Sequence, residues 1–381
     1  MQEAMLYEKL SDDRVRCTLC AHRCVIADGK RGVCLVRENR GGTLYTLVYG
    51  RTISQHVDPV EKKPLLHFYP GSTAYSIATP GCNFRCRWCQ NWEISQMVRE
   101  RHLIIGEKAS PEQIVAAAQR AGCRSIAYTY TEPTVFFEYA YDTARLAHEA
   151  GLANVYVTNG YMTEEMLETF NPPHPPRSGG EHTLTRPPRN GGEHNPPRPP
   201  RGGGEHDPYL DAANVDLKAF RDETYRKYVG ARLQPVLDSL KVMKRLSIWV
   251  EVTTLVIPGI NDDPEELRDA AQFVAQELGV ETPWHISRFY PAYEMTGVPP
   301  TPAATLQQAR EIGLEAGLRY VYEGNVPGEA NTFCHECDRL LIRRSGYWIL
   351  ENYVQPDGSC PDCGTPVAGV GMAGVKNPKS Q

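Results

Sequence analysis

Three cysteines, Cys82, Cys86 and Cys89, follow the spacing Cys-x-x-x-Cys-x-x-Cys and are called here the central trio. Thiolates are the ligands that Fe–S clusters use, and three protein ligands leave one iron of a [4Fe–4S] cubane open to a substrate or cofactor. The spacing therefore indicates chemistry rather than simple electron transfer. The alternative is a three-cysteine zinc site or unliganded thiols. The neighbouring Asn83 and Arg85 predict an exposed polar loop, which disfavours that alternative.

Eight more of the twelve cysteines form two further groups. The N-terminal quartet is Cys17, Cys20, Cys24 and Cys34. Its spacing suits zinc or an auxiliary Fe–S cluster, of which zinc is slightly favoured. The ribbon quartet is Cys334, Cys337, Cys360 and Cys363, two Cys-x-x-Cys pairs flanking a β-rich stretch from Leu340 to Val354. It predicts a zinc-ribbon module, or a rubredoxin-like iron site. The remaining Cys123 is expected to be a small buried apolar residue.

Alternating β-rich and helical segments predict the scaffold that positions these cysteines. The predicted strands are Ala74–Thr79, Ser125–Tyr130, Asn154–Thr158, Ala213–Leu217, Trp249–Val256, Trp284–Phe289 and Tyr320–Glu323. Helices are predicted over Pro111–Ala121, with Ser110 as N-cap, and over Pro264–Leu278 after an Asp pair. This alternation indicates a parallel sheet, open or closed into a barrel.

Six residues, all but one of them polar or cysteine, follow the ends of six of these predicted strands. They are Cys82, Glu132, Asn159, Lys218, Pro258 and Tyr290. Since working residues of β/α barrels gather at the carboxyl ends of the strands, we expect this set to surround one site.

The chain divides into three predicted parts: an N-terminal Cys-rich metal module over residues 1–50, a catalytic barrel over 70–325 and a C-terminal Cys-x-x-Cys module over 330–370. Residues 171–207 interrupt the barrel with a 12-residue repeat containing ten Pro and seven Gly. A segment so rich in Pro and Gly cannot bury an apolar core. We therefore predict that residues 171–207 form a disordered insertion. Its removal would join the helix ending near Phe170 to Tyr209.

Composition limits the possible partners and location. A net charge of −5 with interspersed signs disfavours nucleic acid and anionic membranes as partners. The sequence shows neither a signal-peptide pattern nor a long apolar run, and its cysteine groups suit a reducing compartment, so a cytoplasmic location is expected.

The central trio directly after the first barrel strand resembles the radical S-adenosylmethionine (SAM) motif. More narrowly, the sequence Cys89–Gln96 and the flanking cysteine groups resemble the radical SAM component of the AmmeMemoRadiSam system, a relative of pyruvate formate-lyase activating enzymes. The resemblance covers nearly the whole chain except the repeat.

This resemblance implies a partial (β/α)6 barrel in which a [4Fe–4S] cluster on the central trio binds SAM at its open iron. Reductive cleavage of SAM then yields a 5′-deoxyadenosyl radical that abstracts hydrogen. The implied SAM-binding residues are Trp88, Thr131, Glu132, Asn159, Asp216 and Lys218. Tyr130 and Thr131 stand where the family motif has two glycines.

Three functions remain open at this stage. The first is an AmmeMemoRadiSam-type radical SAM enzyme with an unidentified substrate, an electron donor such as flavodoxin or ferredoxin, and Memo-like and AMMECR1-like partners. The second is a glycyl-radical enzyme activase. The third is a non-catalytic metal scaffold.

Overall fold

The computed structural model describes residues 1–172 and 208–374. Its centre is an eight-stranded sheet in which the strands lie side by side in chain order. They are β1 (Ser54–Pro59), β2 (Thr73–Ala78), β3 (Ser125–Tyr128), β4 (Ala153–Thr158), β5 (Ala212–Asp216), β6 (Trp249–Val256), β7 (Trp284–Arg288) and β8 (Val321–Gly324). Strands β2 to β8 run parallel, and β1 pairs antiparallel with β2.

One principal helix lies in each connection between successive parallel strands. These are α1 (Pro111–Arg120), α2 (Phe137–Glu149), α3 (Glu164–Phe170), α4 (Gln234–Arg245), α5 (Pro264–Phe273) and α6 (Ala303–Glu315). Six strand–helix units are thus followed by β8, which confirms the predicted partial (β/α)6 barrel and the last predicted strand, Tyr320–Glu323. Shorter helical turns are Val60–Lys62, Trp92–Ser95, Met97–Arg101, Pro133–Phe136, Asp222–Thr224, Tyr225–Val229 and Val274–Leu278.

The predicted starts of α1 and α5 are confirmed. The Ser110 hydroxyl accepts a hydrogen bond from the Gln113 N–H at 3.4 Å, and the Gln113 side chain accepts from the Ser110 N–H at 2.8 Å. The Asp263 carboxylate accepts from the Glu266 N–H at 3.0 Å. Both caps satisfy N–H groups that the first helical turn leaves unpaired.

Alternate residues of the strands face two separate apolar cores. The smaller core comprises Val60, Leu65, Phe68, Ala74, Ala127, Val155 and Ala212. Because side chains alternate between the faces of a strand, the neighbouring Tyr128, Tyr156 and Ala213 belong instead to the larger core, which includes the helices. The segment 60–68 therefore packs on one face of the sheet, and the helices pack on the other.

The N-terminal part lies at the carboxyl ends of the parallel strands. It contains the strands Gln2–Glu3, Tyr7–Lys9, Val15–Cys17, Val25–Ile26, Arg37–Arg40, Thr43–Thr46 and Arg51–Thr52, of which the last pairs with Glu107–Lys108. The Ala21 N–H donates to the Tyr161 carbonyl at 3.3 Å, and the Thr163 hydroxyl donates to the Thr18 carbonyl at 2.7 Å. Since Tyr161 and Thr163 follow the end of β4, these contacts fix the position of this part.

The C-terminal part lies near the opposite ends of the strands. It consists of the strands Thr332–Phe333, Leu340–Ser345 and Trp348–Asn352. The buried Arg344 guanidinium donates to the Leu66 carbonyl at 2.8 Å, and the Tyr69 N–H donates to the Val370 carbonyl at 2.7 Å. Leu66 and Tyr69 precede β2, so this module packs at the amino end of that strand.

The two described ends of the repeat segment meet. The Asn171 amide donates to the Leu210 carbonyl at 2.8 Å and accepts from the Leu210 N–H at 2.8 Å. The Tyr209 N–H also donates to the Phe170 carbonyl at 3.2 Å. The predicted connection between this helix and β5 is therefore present. The segment 171–207 was predicted to be disordered, and its residues 173–207 lie outside the described part of the chain. Within residues 1–172 and 208–374, every helix is too short or too polar to span a bilayer.

Candidate functional site

The central trio lies in the loop that follows β2. Its backbone is fixed by hydrogen bonds from the Arg85 N–H to the Val229 carbonyl at 2.8 Å and from the Cys89 N–H to the Cys86 carbonyl at 3.1 Å. The expectation of an exposed polar loop is only partly met. Arg85 is exposed, but Asn83 is 1% exposed. The Asn83 side-chain oxygen accepts from Asn159 Nδ2 at 2.8 Å, and its carbonyl oxygen lies 2.9 Å from His22 Nε2.

Burial favours the protonated thiols of Cys82 and Cys86 in the absence of a metal. It raises the pKa of Cys82 well above its usual range, and the nearby Glu132 raises this pKa further. Burial likewise raises the pKa of Cys86 to about 12, although Lys218 lowers it. Metal ligation requires the thiolate, so binding of a metal centre releases the protons of these thiols.

The donor set fits a group larger than a single ion. Among the described residues, only the ribbon quartet brings three or more Cys, His, Asp or Glu ligand atoms within 4.8 Å of one another. The central trio is more widely spaced, as ligands to separate irons must be. Three buried polar atoms beside it have no protein partner: Thr79 Oγ1, Asn83 Nδ2 and Trp88 Nε1. A [4Fe–4S] cluster with a polar ligand on its open iron suits both the donors and these free groups.

Asn159 links the trio to the end of β4. Its Nδ2 donates to the Asn83 side-chain oxygen at 2.8 Å and lies 3.9 Å from the Cys82 sulfur. The Asn159 N–H donates to the Glu132 carboxylate at 2.8 Å. Glu132 also accepts from the Thr134 N–H, the Thr134 hydroxyl and the Thr158 hydroxyl. Its carboxylate is therefore occupied in holding Asn159, even though burial raises its pKa.

Tyr130 keeps a glycine-like backbone at the position where the family motif has a glycine. Its φ is 64°, a left-handed conformation that costs an ordinary residue roughly 1–2 kcal/mol. Its hydroxyl donates to Asp58, and Lys63 Nζ lies 4.4 Å from its ring centre. These contacts offset the backbone cost. The adjacent Thr131 hydroxyl donates to the Thr79 carbonyl at 2.7 Å, which joins the ends of β2 and β3.

Asp216 and Lys218 lie beside the other cysteines of the trio. Lys218 Nζ is 2.8 Å from the Asp216 carboxylate, with 17% and 29% of the two side chains exposed. Burial lowers the pKa of Lys218, but the attraction of Asp216 and then of Cys86 raises it overall. Lys218 is therefore a positive charge within electrostatic reach of Cys86 and Cys89.

The other predicted residues lie at the same end of the sheet with different surroundings. Trp88 is 2% exposed, and its ring lies 6.2 Å from that of Tyr228. Tyr290 is 41% exposed, and its hydroxyl donates to the Asn325 carbonyl at 3.2 Å. Pro258 is partly buried after β6. The structure thus brings Asn159 and Lys218 to the trio, while Tyr290 bonds to the loop after β8.

Two supporting residues were missed from the sequence. Ser95 Oγ lies 3.2 Å from the Cys89 sulfur, and the Gln96 amide donates to the Phe84 carbonyl at 3.2 Å. Both follow the trio within the stretch that carries the family resemblance. Their closeness to the trio in the sequence was a visible signal. Only the helical turn that begins at Trp92 shows that both side chains contact the trio loop.

The ribbon quartet has the dimensions of a single-ion site. The Cys334 and Cys363 sulfurs are 3.6 Å apart, and those of Cys337 and Cys360 are 3.7 Å apart. Metal–sulfur bonds of about 2.3 Å in a tetrahedron separate the sulfurs by about 3.8 Å. The quartet can therefore hold one zinc or iron ion, in agreement with the predicted zinc-ribbon-like module.

Comparisons with known proteins are consistent with this architecture. The family model of the radical SAM superfamily matches residues 76–173, which include the central trio, Glu132 and Asn159. An uncharacterized protein of Methanocaldococcus jannaschii, MJ0808, is 45% identical over 346 residues, covering 90% of this chain and 92% of the relative.

Two solved structures are also similar. One is a domain of a pyruvate-formate lyase-activating enzyme from Bacteroides vulgatus, with a TM-score of 0.37, 14% identity, and coverage of 53% of this chain and 99% of that one. The other is a radical SAM methyltransferase from Sphaerobacter thermophilus, with a TM-score of 0.46, 13% identity, and coverage of 68% of each chain. Residues 76–173 of this chain thus match the radical SAM superfamily, and the chain as a whole belongs to the same family as the M. jannaschii protein MJ0808.

Proposed function

We propose that the central trio holds a [4Fe–4S] cluster at which SAM is reductively cleaved, and that the enzyme acts on an unidentified substrate in an AmmeMemoRadiSam-type system. The observation that carries this proposal is the arrangement of the trio at the carboxyl end of the sheet, with Cys86 buried and Cys82 and Cys89 half-buried, Asn159 Nδ2 3.9 Å from the Cys82 sulfur, and Lys218 within electrostatic reach of Cys86. When bound, the cluster and SAM supply a 5′-deoxyadenosyl radical for hydrogen abstraction.

The residues of the chain have separate tasks in this proposal. Glu132 holds the Asn159 backbone, and Asn159 in turn holds the loop at Asn83. The Trp88 indole and the strained backbone at Tyr130 offer an apolar face and a close approach for SAM. These assignments follow the family resemblance at the corresponding positions.

Lys218 supplies charge compensation. Thiolates replace neutral thiols when the site is loaded, so negative charge builds up at the buried loop. A fixed ammonium group beside Cys86 and Cys89 stabilises that charge, and Asp216 keeps the ammonium in place. The same ammonium lies where a carboxylate of SAM would find a partner.

The radical chemistry is tested by anaerobic reconstitution of the full chain with iron and sulfide, followed by reduction in the presence of SAM. We expect 5′-deoxyadenosine, measured by chromatography, and its loss in Cys82→Ala. The matched control is Cys123→Ala, since Cys123 is buried away from all three cysteine groups. Undiminished 5′-deoxyadenosine from Cys82→Ala would contradict the proposal.

The system assignment needs a separate experiment. Memo-like and AMMECR1-like proteins from the same genome are added to the reduced enzyme with SAM, with flavodoxin or ferredoxin as electron donor. We expect SAM cleavage to rise when the correct partner is present. A glycyl-radical doublet on an added protein in electron paramagnetic resonance (EPR) would instead support an activase.

We also propose that the ribbon quartet holds zinc rather than iron, and that the enzyme works in the cytoplasm. The 3.6 Å and 3.7 Å sulfur separations suit a tetrahedral site with four cysteine ligands, a common structural zinc arrangement. A reducing compartment keeps its thiols available. Metal analysis of the purified chain tests the zinc assignment, and a ribbon iron without sulfide would contradict it.

A further inference from the structure

The N-terminal quartet lines one cavity. Its other lining residues are Leu19, His22, Ile26, Gly32, Val33, Arg37 and Val135. The cavity opens to solvent, and its empty volume is about 310 Å³ when the space at its mouth is included. The quartet is fixed locally, because the Cys17 N–H donates to the Cys24 carbonyl at 2.9 Å and the Val33 N–H donates to the Cys24 sulfur at 3.5 Å. The fold thus builds a shared site from four cysteines.

An unused positive donor also lines this cavity. Arg37 is 1% exposed, and its terminal nitrogens form an ion pair with Glu138 at 2.8 Å. Its Nε has no hydrogen-bond partner in the protein. A buried N–H of a cation is expensive to leave unpaired. An anionic group in the cavity, as a thiolate-ligated metal centre is, would supply the missing partner.

The spacing of the quartet distinguishes a cluster from a single ion. In the ribbon quartet all four sulfurs lie within 4.8 Å of one another, as the tetrahedron of one ion requires. Within the described part of the chain, the N-terminal quartet does not bring even three sulfurs within that distance. Sulfurs that bind separate irons of a cubane stand farther apart than sulfurs that share one ion.

We propose that the N-terminal quartet holds a second [4Fe–4S] cluster, with each cysteine on a different iron. Complete thiolate ligation leaves no open iron, so this cluster carries electrons rather than binding a substrate. The slight preference for zinc from the sequence is thereby reversed. The inference rests on the quartet and its cavity, and does not depend on SAM cleavage at the central trio.

The second cluster site adjoins the loop of the central trio. His22, which lines the cavity, has its Nε2 at 2.9 Å from the Asn83 carbonyl oxygen. On the other side of Cys82, a Cβ added to Gly81 would lie 3.5 Å from the Cys34 carbonyl oxygen. Segments that carry the two cysteine groups therefore contact each other on both sides of Cys82. By contrast, the ribbon quartet lies toward the amino ends of the strands.

The test uses the full chain carrying Cys82→Ala, Cys86→Ala and Cys89→Ala together, which removes the central site. After anaerobic reconstitution, iron, acid-labile sulfide and zinc are measured per chain, and the reduced protein is examined by EPR. We expect about four iron atoms, about four sulfides and a cluster signal to remain. Adding Cys17→Ala, Cys20→Ala and Cys24→Ala together should remove the sulfide, because the single remaining cysteine of the quartet cannot hold a cluster, whereas adding Cys123→Ala should not.

Loss of all sulfide from the triple variant, with about two zinc ions per chain, would overturn the proposal in favour of zinc at both quartets. If the triple variant fails to fold by circular dichroism, the wild-type chain decides. About eight sulfides per chain support two clusters, and about four overturn the second one. Failure of SAM cleavage with about eight sulfides would refute the proposed function and leave the second cluster standing.

Discussion

The carboxylate of Glu132 organises the site without having to touch SAM, and Glu132→Gln isolates that role. In the wild-type chain one carboxylate oxygen accepts from the Thr134 N–H, the Thr134 hydroxyl and the Thr158 hydroxyl, and the other accepts from the Asn159 N–H. A Gln amide has only one oxygen. Its NH2 group must therefore face either the Asn159 N–H or the group of three donors.

The least costly arrangement of Gln leaves the Asn159 N–H without an acceptor. A buried donor without a partner costs about 1–3 kcal/mol. Burial already raises the pKa of Glu132, so removing its charge also removes part of a desolvation penalty and adds little further loss. We therefore expect the free energy of unfolding of the apoprotein to fall by about 1–3 kcal/mol. Asn159 should also lose its fixed position beside Cys82.

Urea denaturation of the apoprotein measures the stability change, and 5′-deoxyadenosine formation by the reconstituted enzyme measures the effect on the site. Glu61→Gln is the matched control, because Glu61 is also buried but has only one oxygen in use, accepting from the Gly71 N–H at 2.8 Å. That variant should keep its activity. If Glu132→Gln keeps wild-type stability and SAM cleavage, the Glu132 carboxylate does not hold Asn159 in place.

Three further predictions concern charge, backbone and pH. Lys218→Met should weaken SAM binding about tenfold by calorimetry, or about 1.4 kcal/mol, because it leaves Asp216 unpaired beside the site; unchanged affinity would contradict this. Gly160→Ala should lower thermal stability and SAM cleavage together, because φ is +67° and the new Cβ would lie 2.7 Å from a Val215 methyl group; a wild-type melting curve would contradict this. Burial lowers the pKa of His67 to about 4, so the unfolded chain binds more protons than the folded one between that pKa and about 6.5. The free energy of unfolding should therefore fall by up to about 3 kcal/mol from pH 7 to pH 4, and it should fall less in His67→Gln. If urea denaturation shows the same pH dependence for both proteins, the lowered pKa of His67 is contradicted.

Most of the barrel was predictable because its strands are apolar runs separated by well-marked helix starts. The antiparallel strand β1 was missed. Its sequence, Ser54–Pro59, is polar and ends in Pro, so it lacks the composition of a strand. It is held instead by Asp58, whose carboxylate accepts from Ser76 at 2.8 Å and from Lys63 at 2.7 Å. Ser76 lies 18 residues from Asp58 in the sequence, so pattern alone does not reveal this contact.

For the site, the sequence indicated which residues gather but not how their polar atoms are used. Glu132, Asn159 and Lys218 follow strand ends as expected, yet Glu132 holds protein donors. Glu251 shows the same limit inside the sheet. Its buried carboxylate lies 2.7 Å from His285 and accepts from the His67 N–H at 2.8 Å. A charged residue within an apolar strand was a visible signal, but its partners depend on the fold.

Binding of SAM at an open iron of the central trio can be observed by EPR of the reduced, reconstituted full chain before and after SAM is added. We expect one cluster signal to change with SAM and to disappear in Cys82→Ala, while the signal of the second cluster is unaffected. A spectrum that SAM leaves unchanged, or a SAM-sensitive signal that survives replacement of the whole central trio, would contradict binding of SAM at the trio.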